Sequence, residues 1–150
     1  MSGDLVSALE QSELFEGFDR NQLSQVVTHL QPKPVSLKYR DYLYKRGDPA
    51  DCCWEILSGN FVVQRASLRE PFQHVDYHVG SVTGLQGLVE PGSHRPVSLI
   101  ADGNAELLEI PEAGIARLDP NTRLALCNNI SHILIKKLFQ CRAILNSWGV

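Results

Sequence analysis

The chain has 150 residues, 43% of them apolar, and a formal net charge of −3. That length fits one domain, 1–150, with one substantial core, and the slight acidity argues against a large electrostatic footprint for nucleic acid. Met1-Ser2-Gly3-Asp4 carries neither a basic segment nor a signal-length apolar run, and nowhere do about 18 uncharged apolar residues follow one another, so the expectation is a cytoplasmic protein with no membrane partner.

Helices are expected over about 4–31. Leu5 and Leu9 share one side of a short first helix that runs into Leu14 and Phe15. Asp19 stands where it can cap the second, with Gln22 three residues on to complete a capping box. Leu23, Val26, Val27 and Leu30 then recur at helical spacing, and Pro32 and Pro34 stop the run.

From about 34 to 110 the pattern is short strands between turns. Residues 54–57 and 61–64 flank Ser58-Gly59-Asn60, which reads as a compact hairpin connection. Residues 74–79 place Val75, Tyr77 and Val79 on one face, and 97–101 and 105–110 supply further strands. Many short strands at this spacing predict an antiparallel sandwich or barrel. Cys52 and Cys53 alternate faces of one strand, and with Cys127 and Cys141 they show neither zinc spacing nor a disulfide framework.

After Ile110 helical signals return, over about 111–146. Pro111 suits the first turn of a short helix ending near Leu118, and Asp119-Pro120 makes an N-cap and first-turn pair for the last helix. There Cys127, Ile130, Leu134, Lys137, Cys141, Ile144 and Trp148 keep a three-four spacing, while Leu126, Ile133, Ile135, Leu138 and Phe139 widen the stripe. So broad an apolar surface calls for cover on two sides. One side is the chain's own barrel and the other a second copy of the helix in a homodimer; the alternative is a monomer whose stripe is wholly covered from within.

The stretch with most chemical content is Gly84-Leu85-Gln86-Gly87-Leu88, followed by His94-Arg95-Pro96-Val97. Gly84 and Gly87 permit a tight turn or close backbone approach. A short helix starting there would aim N–H groups at an anion, and Arg95 adds a planar, bidentate donor for phosphate oxygens. The reading that needs no ligand is Arg95 paired with a surface carboxylate such as Glu90, and glycines that merely mark a loop.

In order and spacing these residues resemble the phosphate-binding cassette of the cyclic-nucleotide-binding domain family, which includes catabolite-activator-type regulators and regulatory subunits of cyclic-AMP-dependent kinase. Leu14-Phe15 with Gly17-Phe18, Gly47-Asp48 with Ala50-Asp51, and Leu57-Ser58-Gly59 fit the same resemblance, which covers roughly residues 5–145. It implies a mainly β fold: an antiparallel β-roll of jelly-roll type with N-terminal helices and a long C-terminal helix. It also implies a ligand, cyclic AMP ahead of cyclic GMP, with no other cofactor required. The site would comprise Gly84, Leu85, Gln86, Gly87, Leu88, Arg95, Pro96 and Val97, with Lys137, Leu138 and Cys141 of the last helix at the pocket mouth.

Two residues depart from the family pattern. Leu85 stands where the family carries a glutamate that accepts from the ribose 2′-hydroxyl, leaving Gln86 as a substitute only if the turn re-aims it. Pro96 removes a donor where the family has a small residue. Two readings follow: a regulatory module that senses a cyclic nucleotide and signals to an effector protein, or a degenerate domain that no longer binds nucleotide and serves as an interaction and dimerisation module. The end of the sequence at Val150 leads to the expectation of no DNA-reading helix-turn-helix and no direct DNA binding. His74, Asp76 and His78 read as the solvated side of a strand rather than metal ligands, and with no nucleophile elbow, Walker loop or supported triad no enzymatic activity is expected.

Overall fold

The second helix is set by its cap. Asp19 Oδ1 accepts the Gln22 N–H at 2.8 Å and Gln22 Oε1 accepts the Asp19 N–H at 3.0 Å, so the expected capping box is present. In this computed structural model, which describes residues 2–64, 72–75 and 77–147, that helix is α2, Arg20–Gln25, preceded by α1, Ser2–Gln11, and the 3-10 turn Glu13–Phe15. It ends in the π-helical turn Val26–Leu30, with Gln31 left-handed at φ 50°. The chain then extends as β1, Lys33–Leu37, so Pro34 falls inside a strand. β1 lies at a sheet edge, where the missing proline N–H costs no ladder bond.

The roll is made of β1, β2 (Tyr42–Tyr44), β3 (Cys52–Ser58), β4 (Phe61–Gln64), β5 (Phe72–Val75), β6 (Val82–Thr83), β7 (Ser98–Ala101) and β8 (Ala105–Pro111). They form two antiparallel sheets, ordered β1-β8-β3-β6 and β2-β7-β4-β5. Between the sheets pack Trp54, Ile56, Phe61, Leu99, Ala101 and Leu107. The other face of the first sheet, with Cys53, Val82, Leu108 and Ile110, is covered by α1, α2 and the C-terminal helix. Residues Cys52 to Ile56 are therefore buried on both faces, and each large apolar side chain there contributes roughly 1.5–3 kcal/mol. Cys52 and Cys53 do fall on opposite faces, in different clusters.

Three local expectations need correction. β3 and β4 do not pair as a hairpin: β3 pairs with β8 and β6, β4 with β5 and β7. The chain crosses between sheets at Gly59, whose φ of 106° and contact with Ala105 leave no room for a side chain. Pro111 closes β8 rather than opening a helix, and only a 3-10 turn, Ile115–Arg117, precedes Leu118. In the 74–79 segment the strand stops at Val75; Val75 and Tyr77 pack on the inner cluster while Val79 is exposed. The side chains of His74 and Asp76 lie outside the described residues.

Asp119 caps the last helix, α4, Pro120–Ser147, by accepting the Thr122 N–H at 2.7 Å. It also exchanges two hydrogen bonds with Gln25, at 2.6 and 2.9 Å, tying the end of α2 to the start of α4. The broad apolar stripe divides: Leu126 and Ile133 are buried against the roll side, whereas Leu134, Ile135, Leu138 and Phe139 are exposed. Among the described residues no helix is long and apolar enough to cross a membrane.

Gly59→Ala is expected to lower unfolding stability by at least about 1–3 kcal/mol, because a left-handed backbone conformation is forced on an L-residue and its Cβ would lie 2.5 Å from that of Ala105. Urea denaturation followed by circular dichroism measures it.

Candidate functional site

The cassette is built between the two sheets. Gly84, at φ 76°, turns the chain out of β6 into the short helix α3, Gln86–Val89. A Cβ at Gly84 would sit 2.9 Å from both Arg95 Nη1 and the Trp54 ring. Gly87 presses its backbone against Cys52, so a side chain there would strike the Cys52 carbonyl. The loop between α3 and β7 is zipped to residues 47–50: Arg95 N–H donates to Asp48 O at 2.8 Å, Ala50 N–H to Ser93 O at 2.7 Å, and Gly47 N–H to Arg95 O at 2.8 Å.

Arg95 is the centre of this arrangement and is only 3% exposed. Its Nη1 donates to the Gly84 carbonyl at 2.9 Å and its Nη2 to the Cys52 carbonyl at 2.6 Å. The guanidinium carbon lies 4.7 Å from the Tyr44 ring centroid and 5.0 Å from that of Trp54. Those two rings stack on each other at 5.5 Å and 22°. Cation–π attraction of this kind strengthens when water is excluded, and the paired main-chain carbonyls satisfy the donors that burial would otherwise orphan. Glu90, the carboxylate weighed as a surface partner for Arg95, is exposed, and the guanidinium donates instead to the two carbonyls.

Two main-chain donors of the cassette are engaged within the fold. Gly87 N–H donates to Gly84 O at 3.0 Å and Leu88 N–H to Leu85 O at 2.9 Å. The Gln86 side chain is tied to the cassette loop: its Nε2 donates to Ser93 Oγ at 2.8 Å and to His94 O at 3.1 Å. Leu85 and Leu88 are buried in the cluster beneath the helices, whereas Pro96 is exposed and Val97 half-buried.

The structure thus brings Gly84, Gly87 and Arg95 together but directs Lys137 elsewhere. Lys137 Nζ donates to Val82 O at 3.2 Å on the face covered by helices, and burial lowers its pKa while Glu13 raises it. Leu138 is exposed on α4, and the Cys141 side chain lies outside the described residues. Tyr44 and Trp54 were not singled out from sequence; aromatic residues at strand positions read equally well as ordinary core. Burial raises the Tyr44 hydroxyl pKa and pushes the Cys52 thiol up to about 12, so neither is ionised near neutrality. No group of three His, Cys, Asp or Glu among the described residues is placed to hold a metal ion. Two clefts occur on other surfaces. One, of about 320 Å³, lies beside Glu13, Glu16 and His132; the other, of about 620 Å³, beside Tyr39, Tyr42 and Ile100.

A two-sheet β-roll flanked by helices, with a glycine turn and a buried arginine facing it, defines a class of regulatory domain. The family model described as cyclic nucleotide-binding domain matches residues 34–119, and the chain belongs to that family. Among solved structures it is similar to the catabolite activator protein of Thermus thermophilus, at 18% identity and TM-score 0.73 over 92% of this chain and 63% of that one. A cyclic nucleotide-binding domain from Methylobacillus flagellatus aligns at 15% identity and TM-score 0.74 over 92% and 78%. The regulatory domain of Toxoplasma gondii PKA, crystallised with cAMP, aligns at 18% identity and TM-score 0.67 over 87% and 49%. At these identities the likeness is one of fold, and the chain spans less than two thirds of the Thermus protein. A comparison with curated proteins found no match.

Arg95→Met, which keeps length and loses every donor, leaves the Cys52 carbonyl without the guanidinium and the Gly84 carbonyl with only the Gly87 N–H, and is expected to cost about 1–3 kcal/mol. Trp54→Ala, which opens a void beside Gly84, is expected to cost about 3–5 kcal/mol. Chemical denaturation of both variants checks the values, and an Arg95→Met midpoint equal to wild type would show that the two bonds are not formed in solution.

Proposed function

We propose that this chain is a non-catalytic regulatory module of the cyclic nucleotide-binding fold whose anion site is filled from within, so that it works as an interaction and dimerisation domain without nucleotide. The observation that carries this reading is the Arg95 guanidinium, which spends two donors on Gly84 O and Cys52 O and lies against Tyr44 and Trp54. A cyclic phosphate at the cassette would have to displace Trp54 from Gly84 and compete with carbonyls already in place. Leu85 supports the same reading, since its buried apolar side chain has no group to accept from a ribose hydroxyl.

The second reading, a cytoplasmic sensor of cyclic AMP or cyclic GMP that signals to an effector protein, is supported by family membership and the intact Gly84-to-Arg95 spacing. Under it the Tyr44–Trp54 pair has to move aside, and binding energy has to offset that rearrangement. Calorimetric titration with each nucleotide separates the readings. No heat and no thermal shift at millimolar ligand is the expected result; saturable micromolar binding that Arg95→Lys abolishes would establish the sensor instead.

Output through the oligomeric state is supported by α4, where Leu138 and Phe139 are each 59% exposed beside Leu134 and Ile135. Such a contiguous apolar stripe is the kind of surface that subunit contacts cover. Sedimentation equilibrium is expected to give a dimer, and Leu138→Glu to weaken it by about tenfold or more through a buried, unpaired charge. A monomeric wild type would remove the dimer from the account.

A further inference from the structure

The outer face of the second sheet is apolar where a solvated face would be polar. Phe61, Leu99 and Ala101 pack into the cluster between the sheets, so alternation turns Val62 and Ile100 outward. Tyr42 stands opposite Ile100 across the β2/β7 pair, and Val62 stands opposite it across the β4/β7 pair. The three make a row across the strands, in which Ile100 is only 7% exposed. They line the cleft of about 620 Å³, a size within the range of about 300–1,000 Å³ usual for small-molecule sites.

The turn after β1 supplies the wall. Lys38 O accepts the Asp41 N–H at 2.9 Å, and Asp41 Oδ2 accepts the Lys38 N–H at 2.8 Å. Two further bonds, from Arg40 N–H to Ala101 O at 2.9 Å and from Ala101 N–H to Asp41 O at 2.8 Å, clamp the turn to the end of β7. Tyr39 and Arg40 thereby join the lining of the cleft. Arg40 takes the third place of this turn at φ 71°, a place that glycine fills without penalty. An arginine there costs stability, and what it adds is a guanidinium at the rim.

Charge around the cleft is locally opposite to that of the whole chain. Lys38, Arg40, Lys45 and Arg46 stand against one carboxylate, Asp41, within residues 38–46 of a chain whose net charge is −3. Asp41 already accepts from Lys38, and Asp102, the carboxylate on the lining, is engaged as well. Tyr39 and Tyr42 are both exposed. The Arg40 guanidinium carbon lies 5.3 Å from the Tyr39 ring centroid and Lys45 Nζ 5.0 Å from that of Tyr42, so each exposed phenol carries a cation over its face.

We propose that this cleft binds a small aromatic anion. Its ring lies over Val62 and Ile100 beside Tyr42, and Arg40, with Lys45 nearby, answers the charge. The ring gains apolar burial, and the anionic group gains charge-assisted hydrogen bonds from the guanidinium. A neutral ring of the same size gains only the first. The cleft is on the outer face of the second sheet, so binding there is independent of whether the cassette accepts a nucleotide.

Titration of the isotope-labelled intact chain with naphthoate, followed by amide chemical shifts, tests the proposal. Saturable shifts centred on 39–42, 62 and 100–102 are expected, with a Kd of about 1 mM or tighter. Neutral naphthylmethanol is expected to bind about tenfold or more weakly. Arg40→Gly suits the left-handed backbone, so it is expected to fold at least as stably as wild type while bringing the two probes to equal affinity. Val62→Glu, which sets a carboxylate on the floor, is expected to abolish naphthoate binding. No saturable shift, shifts centred on 84–97 or 134–139, equal binding of the neutral probe by wild type, or an Arg40→Gly chain that still prefers the anion overturns the proposal.

Discussion

The arrangement on which the rest of the site depends is one guanidinium shared between two carbonyls. Arg95 enters from the loop before β7 and holds Gly84, at the end of β6, and Cys52, at the start of β3. These segments are distant in sequence, and one buried guanidinium donates to both. Burying an arginine is costly unless its charge is answered by dipoles and its flat faces by packing. The two carbonyls supply the first and Tyr44 with Trp54 the second. Several local features follow from that one placement: Gly84 cannot carry a side chain, Gly87 must approach Cys52, and residues 47–50 are drawn onto the cassette loop.

The residues that carry the likeness to the family's cassette are bonded to one another in this fold. The glycine turn, the short helix and the arginine all keep their spacing, yet Arg95 Nη1 and Nη2, the Gly87 and Leu88 amides and Gln86 Nε2 are bonded within the fold. The space next to Gly84 is occupied by an indole. These bonds stabilise the contact between β6, α3 and β3.

Much of the framework was legible in the sequence because it depends on short-range chemistry. The Asp19–Gln22 capping box and the Asp119–Pro120 helix start are local hydrogen-bond patterns, and both are present. The cassette was legible through the fixed interval from Gly84 to Arg95. What could not be read depends on which strands meet. The 54–57 and 61–64 runs look like a hairpin because Ser58-Gly59-Asn60 is turn-forming, but the chain uses Gly59 to pass close to Ala105 and change sheets. Trp54 and Tyr44 converge on Arg95 only after that crossing. Glu55 would be taken for the solvated side of β3, and is instead covered because helices close over that face. Lys137 was placed at the pocket mouth by resemblance and lies on the helix-covered face, where the Val82 carbonyl accepts from it.

Trp54 and Arg95 stand beside Gly84 where the cassette turns, and Trp54 can report on its own surroundings directly. With Trp148 replaced by Phe, Trp54 is the sole indole of the chain, and its emission and accessibility to iodide can be followed while cyclic AMP is added. The account predicts a blue-shifted emission that iodide does not quench and that millimolar cyclic AMP leaves unchanged, as expected for an indole 6% exposed and packed against a guanidinium. Emission that shifts in a saturable manner with micromolar cyclic AMP, and loses that response in Arg95→Lys, would contradict it.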